Sequence, residues 1–248
     1  MPRFFINKED ISGSIATVTG DDARHIARSL RMAVGDGITL ADGSGKEYLA
    51  TLTKIRDEVC EASITEVRDS ESEPPSRITL FMAYPKSDKL ETVIQKAVEL
   101  GARGIVPFES ERCIKRPDAL KAAARCLRHE RIAAEAAKQC GRAILPTVSV
   151  PISFTEMLDS AAGHTLVLFC YEGEGAQSLR AILSEYESAP ESIAVIVGSE
   201  GGFSPAEAEA ARARGFKIAN LGGRILRCET APDYVLSALS YHFELKNR

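Results

Sequence analysis

The chain of 248 residues contains no tryptophan, only four histidines, and no Cys-x-x-Cys pair among its six cysteines. Zinc sites and disulfide frameworks need clustered cysteine or histidine, so neither is expected and no metal site is predicted. The histidines form no series with serine and aspartate that would indicate a hydrolytic triad. The cysteines are predicted to be reduced packing residues: Cys60, Cys113, Cys126, Cys140, Cys170 and Cys228.

Long apolar runs are also absent. A membrane span needs about 20 consecutive apolar residues. The N-terminal residues Met1 to Phe5 lack the apolar stretch of a secretory signal. We therefore expect a cytoplasmic protein with no membrane contact. The phosphate-binding pattern Gly-x-x-x-x-Gly-Lys-Ser/Thr does not occur either, which argues against a triphosphate ligand.

Two loops that contain glycines each follow a short apolar run. Ser192 to Val197 precedes Gly198 to Gly202, and Phe216 to Asn220 precedes Leu221 to Ala231. Short apolar runs bounded by glycine or helical stretches are typical of strands buried in a parallel sheet, where ligands bind at the carboxyl ends. Glycine lets the backbone approach a ligand closely. The sequence therefore predicts a nucleotide-like ligand held largely by backbone groups.

The formal net charge of -4 conceals an asymmetry. The segment from Arg112 to Arg142 holds nine Lys and Arg against three Asp and Glu, an excess of six, so the remainder carries -10. A concentrated basic segment in an acidic chain indicates a localised anionic partner. The alternative is an ordinary solvated helix face that happens to be basic.

The polar stretch from Asp69 to Ser76 contains a Pro-Pro pair and no apolar residue, and it predicts a linker near residue 72. Before it, the pattern predicts one short helix, capped by Asp21 or Asp22 and ending near Leu30. Five short strands accompany this helix, and together they suggest a small barrel. The strands are predicted at residues 3–6, 15–18, 37–41, 47–55 and 59–67.

Strands and helices alternate after the linker, which indicates an α/β domain with a largely parallel sheet. One helix is predicted from Asp88 to Leu100 and a long one from about Asp118 to Gln139. Ser204, Pro205 and Glu207 form a complete helix-start signal. Further strands are predicted at residues 77–84, 104–108 and 165–171, and further helices at residues 154–161, 177–186, 205–214 and 232–245.

Basic side chains recur at helical spacing in both parts of the chain. Spacings of three and four residues place most of the basic residues of the long helix on one face. The same spacing relates Arg24, Arg28 and Arg31 in the small domain, with His25 beside them. Two basic faces suit an extended polyanion such as nucleic acid. Simple solvation of Arg24 and Arg28 is the alternative. The predicted face of the long helix contains Arg128, Arg131, Lys138 and Arg142.

Several motifs together carry a family resemblance over nearly the whole length. They are Arg3-Phe4-Phe5, the segment from His25 to Arg31, Lys86 with the segment from Lys96 to Gly101, and the two glycine loops. With these motifs the chain resembles the RsmE-type uracil-N3 methyltransferases of 16S ribosomal RNA, in the SPOUT superfamily. Ser199 departs from the pattern, because the family usually has proline there. Losing proline frees one φ angle and adds an N–H donor.

The resemblance implies an α/β fold in which an N-terminal PUA-like β-barrel, residues 1–72, precedes a SPOUT α/β domain, residues 73–248, with a C-terminal trefoil knot. It also implies a homodimer that binds S-adenosyl-L-methionine among the knot loops and methylates N3 of a uridine in 16S ribosomal RNA of the small ribosomal subunit. The cofactor-binding residues implied are Phe169, Cys170, Tyr171, Glu172, Gly198, Glu200, Gly201, Gly202, Leu221, Gly222, Ile225, Leu226, Arg227 and Ala231.

For catalysis, Arg227 is predicted to stabilise the uracil anion near O2 or O4. Glu200 is predicted to accept the N3 proton, to orient the cofactor or to fix its loop, with Glu229 as a further candidate base. Two alternatives remain open: a SPOUT methyltransferase for another RNA, and a non-catalytic RNA-binding assembly factor. The predicted RNA-binding residues are Arg3, Arg24, His25, Arg28, Arg31, Lys86, Arg112, Arg128, Arg131 and Arg142.

Overall fold

A computed structural model describes residues 1–86, 89–114, 116 and 119–245. The chain divides into two units. Unit 1 consists of Met1–Glu73 and Ala137–Leu145, and unit 2 of Pro74–Ala136 and Pro146–Arg248. The starts predicted for two helices, Asp88 and Asp118, lie outside the described residues.

Unit 1 is built on a six-stranded sheet in the order β1-β4-β5-β6-β3-β2. The pairings are antiparallel except that of β1 with β4. All five strands predicted here are confirmed, and turns at residues 42–45 and 56–58 join β4 to β5 and β5 to β6. The strands are β1 (Arg3–Phe5), β2 (Ile11–Ser12), β3 (Ile15–Thr19), β4 (Gly37–Ala41), β5 (Lys46–Ile55) and β6 (Val59–Asp69).

The sheet of unit 1 curls around a single apolar core. Phe4, Val18, Ile38 and Leu52 come from four different strands and are all buried in it, together with Ile26 from the helical segment. Among the described strands, the hydrogen-bonded order begins at β1 and ends at β2, so it closes no ring. The predicted closed barrel is therefore corrected to a curled sheet. Its two edge strands are only three and two residues long, which limits the exposed edge.

The helical segment of unit 1 differs from its prediction in two ways. It consists of α1 (Gly20–Arg24) followed by one π-helical stretch, His25–Ser29, rather than one regular helix. Neither Asp21 nor Asp22 caps it, because Asp21 bonds the Arg24 guanidinium and Asp22 accepts from Lys138 at 2.8 Å. The residue at the cap position is Thr19, whose side chain makes no capping bond.

Unit 2 has a parallel sheet in the order β10-β8-β7-β13-β11-β14-β12, with β9 also paired to β8. This confirms the predicted α/β pattern, and burial of the inner strands on both faces explains their continuous apolar sequence. The elements are β7 (Arg77–Ala83), α2 (Lys89–Glu99), β8 (Ala102–Glu109), α3 (Ala119–Cys140), β9 (Thr147–Val148), β10 (Ile152–Ser153), α4 (Phe154–Ala161), β11 (Leu166–Cys170), β12 (Gln177–Ser178), α5 (Leu179–Leu183), β13 (Ser192–Val197), α6 (Pro205–Ala213), β14 (Lys217–Asn220) and α7 (Thr230–Phe243).

Helix starts in unit 2 follow their sequence signals closely. Ser204 accepts from the Glu207 backbone N–H while the Glu207 carboxylate accepts from the Ser204 N–H, which confirms the predicted capping box of α6. The helix predicted at residues 177–186 is shorter, because Gln177 and Ser178 pair with β14 before Ser178 caps α5. Among the helices of the described residues, none is long and apolar enough to cross a bilayer.

Candidate active site

A cavity of about 620 Å³ opens at the carboxyl ends of β11, β13 and β14 in unit 2. Parallel strands direct the loops after them to one edge of the sheet, which is where ligands bind in such folds. Cys170, Tyr171 and Glu172 line one side. The remaining walls are the first glycine loop, Gly198–Gly202, residues of the second glycine loop, Leu221–Ala231, and Lys89. The two loops that the sequence indicated therefore share one site.

The first glycine loop is packed too closely for side chains. A Cβ at Gly198 would stand 3.0 Å from Gly202 Cα, and one at Gly201 would stand 2.9 Å from Arg112 Cβ. Arg112 also donates from Nη1 to the Gly201 carbonyl at 3.1 Å. Beneath the loop, the Phe203 ring lies 4.2 Å from that of Phe169, between centroids. This loop is a backbone wall supported from both sides.

Ser199 stands where the resembled family usually has proline, and its hydroxyl has a specific partner. Ser199 Oγ donates to the Arg112 carbonyl at 3.3 Å, and the Ser199 carbonyl accepts from the Gly202 N–H at 2.9 Å. Ser199 is only 5% exposed. The freedom gained by losing proline is therefore offset by a hydrogen bond that ties the loop to residue 112.

Three charged side chains meet at one end of the cavity. Lys89 Nζ lies 3.3 Å from Glu200 Oε1 and 3.1 Å from Glu229 Oε2. Glu200 also accepts the backbone N–H of Lys86 at 3.1 Å. Cys228 donates from Sγ to Glu229 Oε2 at 3.2 Å. Lys89 at the start of α2 thus bridges acids from the two glycine loops.

These contacts fix the ionisation of the cluster. Burial by itself raises the pKa of Glu200. Backbone N–H donors, including that of Lys86, and the Lys89 ammonium have a larger effect in the opposite direction, so the pKa lies below its ordinary value. The pKa of Glu229 is lowered by its own backbone N–H and by bonds from Cys228 and Lys89, against burial. Burial and the Glu229 carboxylate raise the pKa of Cys228 to about 12. Both acids are carboxylates at neutral pH, and Cys228 is a neutral thiol rather than a nucleophile.

The second glycine loop presents its side chains outward. Ile225 lines the cavity and yet is 90% exposed, which places it at the rim. Arg224 and Arg227 also line the cavity and are exposed. Within the described part of the chain, neither guanidinium has a hydrogen bond or ion pair. The rim therefore combines two free cations with an uncovered aliphatic side chain.

The structure places the predicted cofactor residues around this cavity with one exception. Phe169 is fully buried in β11 and packs on Phe203, so its side chain supports the loop and does not line the cavity. Nothing in the sequence distinguishes Phe169 from its neighbours, because all residues of β11 are apolar. Cavity-lining residues absent from the predicted cofactor set are Lys89, Val197, Ser199, Ala219, Arg224, Cys228 and Glu229.

The predicted basic face of unit 1 consists of residues in different environments. Arg24 pairs with Asp21 and Glu58, and Arg28 donates to Asp57 at 2.6 Å. Arg31 is exposed with a φ of +51°, and within the described residues it has no partner. His25 is exposed with its ring edge-on to Phe4. Exposed cations are therefore present here, but only Arg31 is unpaired.

Arg142 and Arg3, both predicted to bind RNA, are largely buried. Arg142 lies beyond the end of α3 and is 2% exposed, with Nη2 donating to Glu73 at 2.7 Å. Arg3 donates to buried Glu47 at 2.8 Å and to the Arg142 carbonyl at 3.4 Å. A buried charge needs a partner, and these guanidiniums are used to satisfy carboxylates within unit 1. Lys138, predicted on the same face, is occupied by Asp22.

Basic residues predicted in unit 2 are more exposed. Arg131 is exposed and has no partner within the described residues, whereas Arg128 donates to Glu91 at 2.9 Å. Lys86 is exposed and engaged through its backbone by Glu200. Arg112 is exposed but donates to the Gly201 carbonyl. Arg131 and the rim arginines are thus the free cations among these residues.

Comparison with protein families places the chain in a class. A model of the RNA methyltransferase domain matches residues 72–240, and a model of the RNA methyltransferase PUA domain matches residues 18–65. These ranges correspond to the parallel sheet with its terminal cavity and to most of the curled sheet. The fold and site are those of a PUA-containing RNA methyltransferase.

Individual relatives narrow the class. Ribosomal RNA small subunit methyltransferase E of Bacillus subtilis is 34% identical, over 99% of this chain and 98% of that protein. The enzyme of the same name from Synechocystis is 33% identical, over 96% and 77% respectively. The chain belongs to the ribosomal RNA small subunit methyltransferase E family.

Solved structures give the same result. The Neisseria gonorrhoeae methyltransferase E bound to S-adenosyl methionine is 33% identical, with a TM-score of 0.84 over 98% of both chains. A putative methyltransferase of Legionella pneumophila, in complex with bound S-adenosylmethionine, is 30% identical, with a TM-score of 0.82 over 96% of both chains. The likeness extends through both units.

Proposed function

We propose that this protein transfers a methyl group from S-adenosyl-L-methionine to N3 of a uridine in 16S ribosomal RNA of the small ribosomal subunit. The observation that supports this most is the cavity between the two glycine loops, in a chain of the methyltransferase E family. We further propose that residues 1–72 dock RNA, that residues 73–248 carry out the chemistry, and that the protein works in the cytoplasm.

The cavity fits the cofactor in size, backbone approach and charge. A volume of about 620 Å³ is in the range of small-molecule sites. Side chains at Gly198 or Gly201 would collide with the loop's own supports, so at these two positions the wall offers backbone groups only. The cofactor has a sulfonium, an ammonium and one carboxylate, a net positive charge. The carboxylates of Glu172, Glu200 and Glu229 around the cavity complement that charge.

We assign Glu200 to fixing its loop rather than to accepting the proton. Its carboxylate is already shared between the Lys86 N–H and the Lys89 ammonium, and its lowered pKa makes it a weak base. Glu229 is held in the same way by Lys89 and Cys228. The proton of uracil N3 then passes to water.

Arg227 is the group that we assign to the substrate. Its unpaired guanidinium at the cavity rim can face O2 or O4 of the uracil and stabilise the anion that forms as the N3 proton leaves. When bound, the cofactor supplies an electrophilic methyl group on sulfur. A methyl group taken up by N3 would leave the cofactor's sulfur as a neutral thioether. The two glycine loops and Arg227 would hold the cofactor and the uracil in position, which provides much of the acceleration.

For RNA docking we propose the unpaired cations Arg31 and Arg131. The other predicted residues rank second, because most of them already have a hydrogen bond or ion pair within the protein: Arg24, His25, Arg28, Lys86, Arg112 and Arg128. Each phosphate contact to a single strand contributes about 0.7 to the slope of log affinity against log salt. Replacing Arg31 and Arg131 together by glutamine should lower that slope by about 1.4. An unchanged slope for binding to small subunits would contradict this assignment.

We also propose a homodimer in which α7 meets its copy. Tyr234, half-buried Ala238 and Tyr241 follow spacings of four and three along one side of α7, and Tyr241 is 75% exposed. Exposed Leu245 lies just beyond the end of the helix. Exposed aromatic side chains in one stripe are typical of protein interfaces. Light scattering should give twice the chain mass, and Tyr241→Glu should reduce it to one chain. A monomeric wild-type protein would contradict the dimer.

The trefoil knot implied by the resemblance remains part of this proposal. The strand order supports it, because β13 lies between β7 and β11 while β14 lies on the other side of β11. Such crossings within the last third of the chain bring the two glycine loops together. Tracing the chain in an experimental electron-density map would decide whether it threads a loop.

The deciding experiment uses small subunits from a strain that lacks the modification. Incubation with labelled S-adenosylmethionine should transfer label to 16S RNA, and mass spectrometry should identify 3-methyluridine. Reverse transcription should stop at the modified position, since N3 methylation blocks pairing. Label in another RNA, or cofactor binding with no transfer, would overturn the proposal in favour of another RNA substrate or an assembly factor.

A further inference from the structure

Ile225 is the most exposed large aliphatic residue near the cavity. It is 90% exposed, although it lies in a loop that lines the cofactor site. The neighbouring Leu226 is half-buried, and Cys228 is buried. The loop thus leaves one apolar side chain uncovered at the rim of the cavity.

The charges beside Ile225 indicate what covers it. Arg224 and Arg227 flank it on the same rim, and within the described residues neither is paired. A protein partner with an apolar face would leave two guanidiniums to be desolvated, whereas RNA offers phosphates to them and stacked bases to the aliphatic group. The combination of one apolar side chain between two free cations therefore fits RNA.

Extrusion of the target base gives a second reason to expect RNA at Ile225. N3 of a uridine in a stack or base pair cannot reach the cavity, so the base must leave its neighbours. Proteins that unstack nucleic acid insert aliphatic wedges between bases, and the gap left by an extruded base needs filling. Ile225 is exposed at the rim of the cavity that the target base would have to enter.

We propose that Ile225 is a wedge that fills the stacking gap left by the target uridine, while Arg224 binds a phosphate next to it. This rests on the proposed function and adds a positioning role that the cofactor contacts do not require. The loop backbone and Arg227 stay available to the cofactor and the uracil, because the wedge uses only the outward side chain.

The test compares Ile225→Ala, Ile225→Leu and Ile225→Asn with wild-type protein on unmodified small subunits. Ile225→Ala and Ile225→Asn should lower kcat/KM at least about tenfold, since unstacking is then not compensated. Ile225→Leu should restore most of it. Cofactor affinity, measured by calorimetry, should stay within about twofold of wild type. Val150→Ala, which truncates an exposed aliphatic residue outside the cavity, is the matched control and should match wild type.

A second readout reports the unstacking itself. Small subunits reconstituted with 2-aminopurine beside the target uridine should brighten on binding wild-type protein, because stacking quenches this base. Ile225→Ala should bind without brightening, and Arg224→Gln should weaken binding and flatten its salt dependence. Unchanged kcat/KM and brightening in Ile225→Ala would overturn the wedge. Loss of activity together with a change from dimer to monomer would also overturn it, in favour of a second copy covering Ile225.

These outcomes are separable from failure of the proposed function. If wild-type protein transfers no methyl group to small subunits, the function fails before any Ile225 variant is compared. If wild type is active and Ile225→Asn is as active as Ile225→Leu, only the wedge fails.

Discussion

The two glycine loops line one cavity but are built in opposite ways. The first, Gly198–Gly202, is enclosed: Arg112 covers it from one side and the Phe169 and Phe203 rings support it from the other. In the second, a Cβ at Gly222 or Gly223 would meet nothing within 4 Å. Close packing requires glycine at Gly198 and Gly201 of the first loop, whereas a φ of +111° favours it at Gly222 of the second. A fixed wall and an outward rim suit a site that holds one ligand and admits another.

Gly201→Ala should have the largest effect, because it breaks the enclosure of the first loop. The new Cβ would stand 2.9 Å from Arg112 Cβ and 3.2 Å from its carbonyl oxygen, so loop and support must separate. Overpacking of this kind costs about 1–3 kcal/mol. The cost should appear as weaker binding of S-adenosylmethionine in calorimetry, as a lower unfolding temperature, or as both. Wild-type values in both measurements would mean that the enclosure is not needed.

Gly222→Ala tests the second loop, where conformation rather than space is the constraint. Gly222 has a φ of +111°, which costs an L-residue about 1–2 kcal/mol. Gly223→Ala is the matched control, since Gly223 has neither a positive φ nor a close neighbour. Cofactor affinity should fall for the first variant and hold for the second. Equal losses of affinity in the two variants would mean that the positive φ of Gly222 is not the constraint in the second loop.

Ser199→Ala removes the hydroxyl that ties the first loop to Arg112. One neutral hydrogen bond contributes about 0.5–1.5 kcal/mol, so cofactor affinity should fall severalfold. Ser199→Pro should restore it, because proline fixes the backbone directly. If Ser199→Pro instead binds less well than Ser199→Ala, the serine N–H rather than loop rigidity is the important group.

Glu200→Gln should give the smallest effect on the chemical step. Glutamine can still accept the Lys86 N–H but loses the ion pair to Lys89, so the cofactor KM should rise while kcat falls less than about threefold. Loss of a general base would instead lower kcat by about 10²–10⁴. A fall in that range with saturating cofactor would reinstate Glu200 as the proton acceptor.

The pH dependence of cofactor affinity gives a check on the same residue. The folded pKa of Glu200 lies below the ordinary value of 4.5, so its carboxylate and the affinity that it supports persist at higher pH. Cofactor affinity should be constant between about pH 5 and 7. It should fall only when the pH drops below the ordinary pKa of a glutamate and approaches the lowered pKa of Glu200. Glu200→Gln should reduce this acid fall.

Sequence patterns predicted most of the local structure because local structure depends on neighbours a few residues away. Apolar runs marked β11, β13 and β14, and the Ser204–Glu207 capping box marked the start of α6. Short β12 escaped prediction, since two exposed residues carry no periodicity. The same reasoning placed both glycine loops at one sheet edge.

Charge patterns in the sequence could not separate free arginines from paired ones. Arg131 and Arg142 were predicted on one basic face, yet one is exposed and the other is buried against Glu73, which is 69 residues away in the sequence. Lys89 and Glu229 are 140 residues apart and meet at 3.1 Å. No local rule encodes such partners, because they depend on which elements the fold brings together.

The sequence alone thus determined the order of the longer strands and helices and the two ligand loops, through periodicity, caps and glycine. The tertiary structure decided which glycines are enclosed and which are open, that Phe169 supports the site from the core, and that Ile225 lies on the rim. The physical reason is that hydrophobic pattern is a property of the chain, whereas burial, ion pairing and pKa arise only between residues that folding brings into contact.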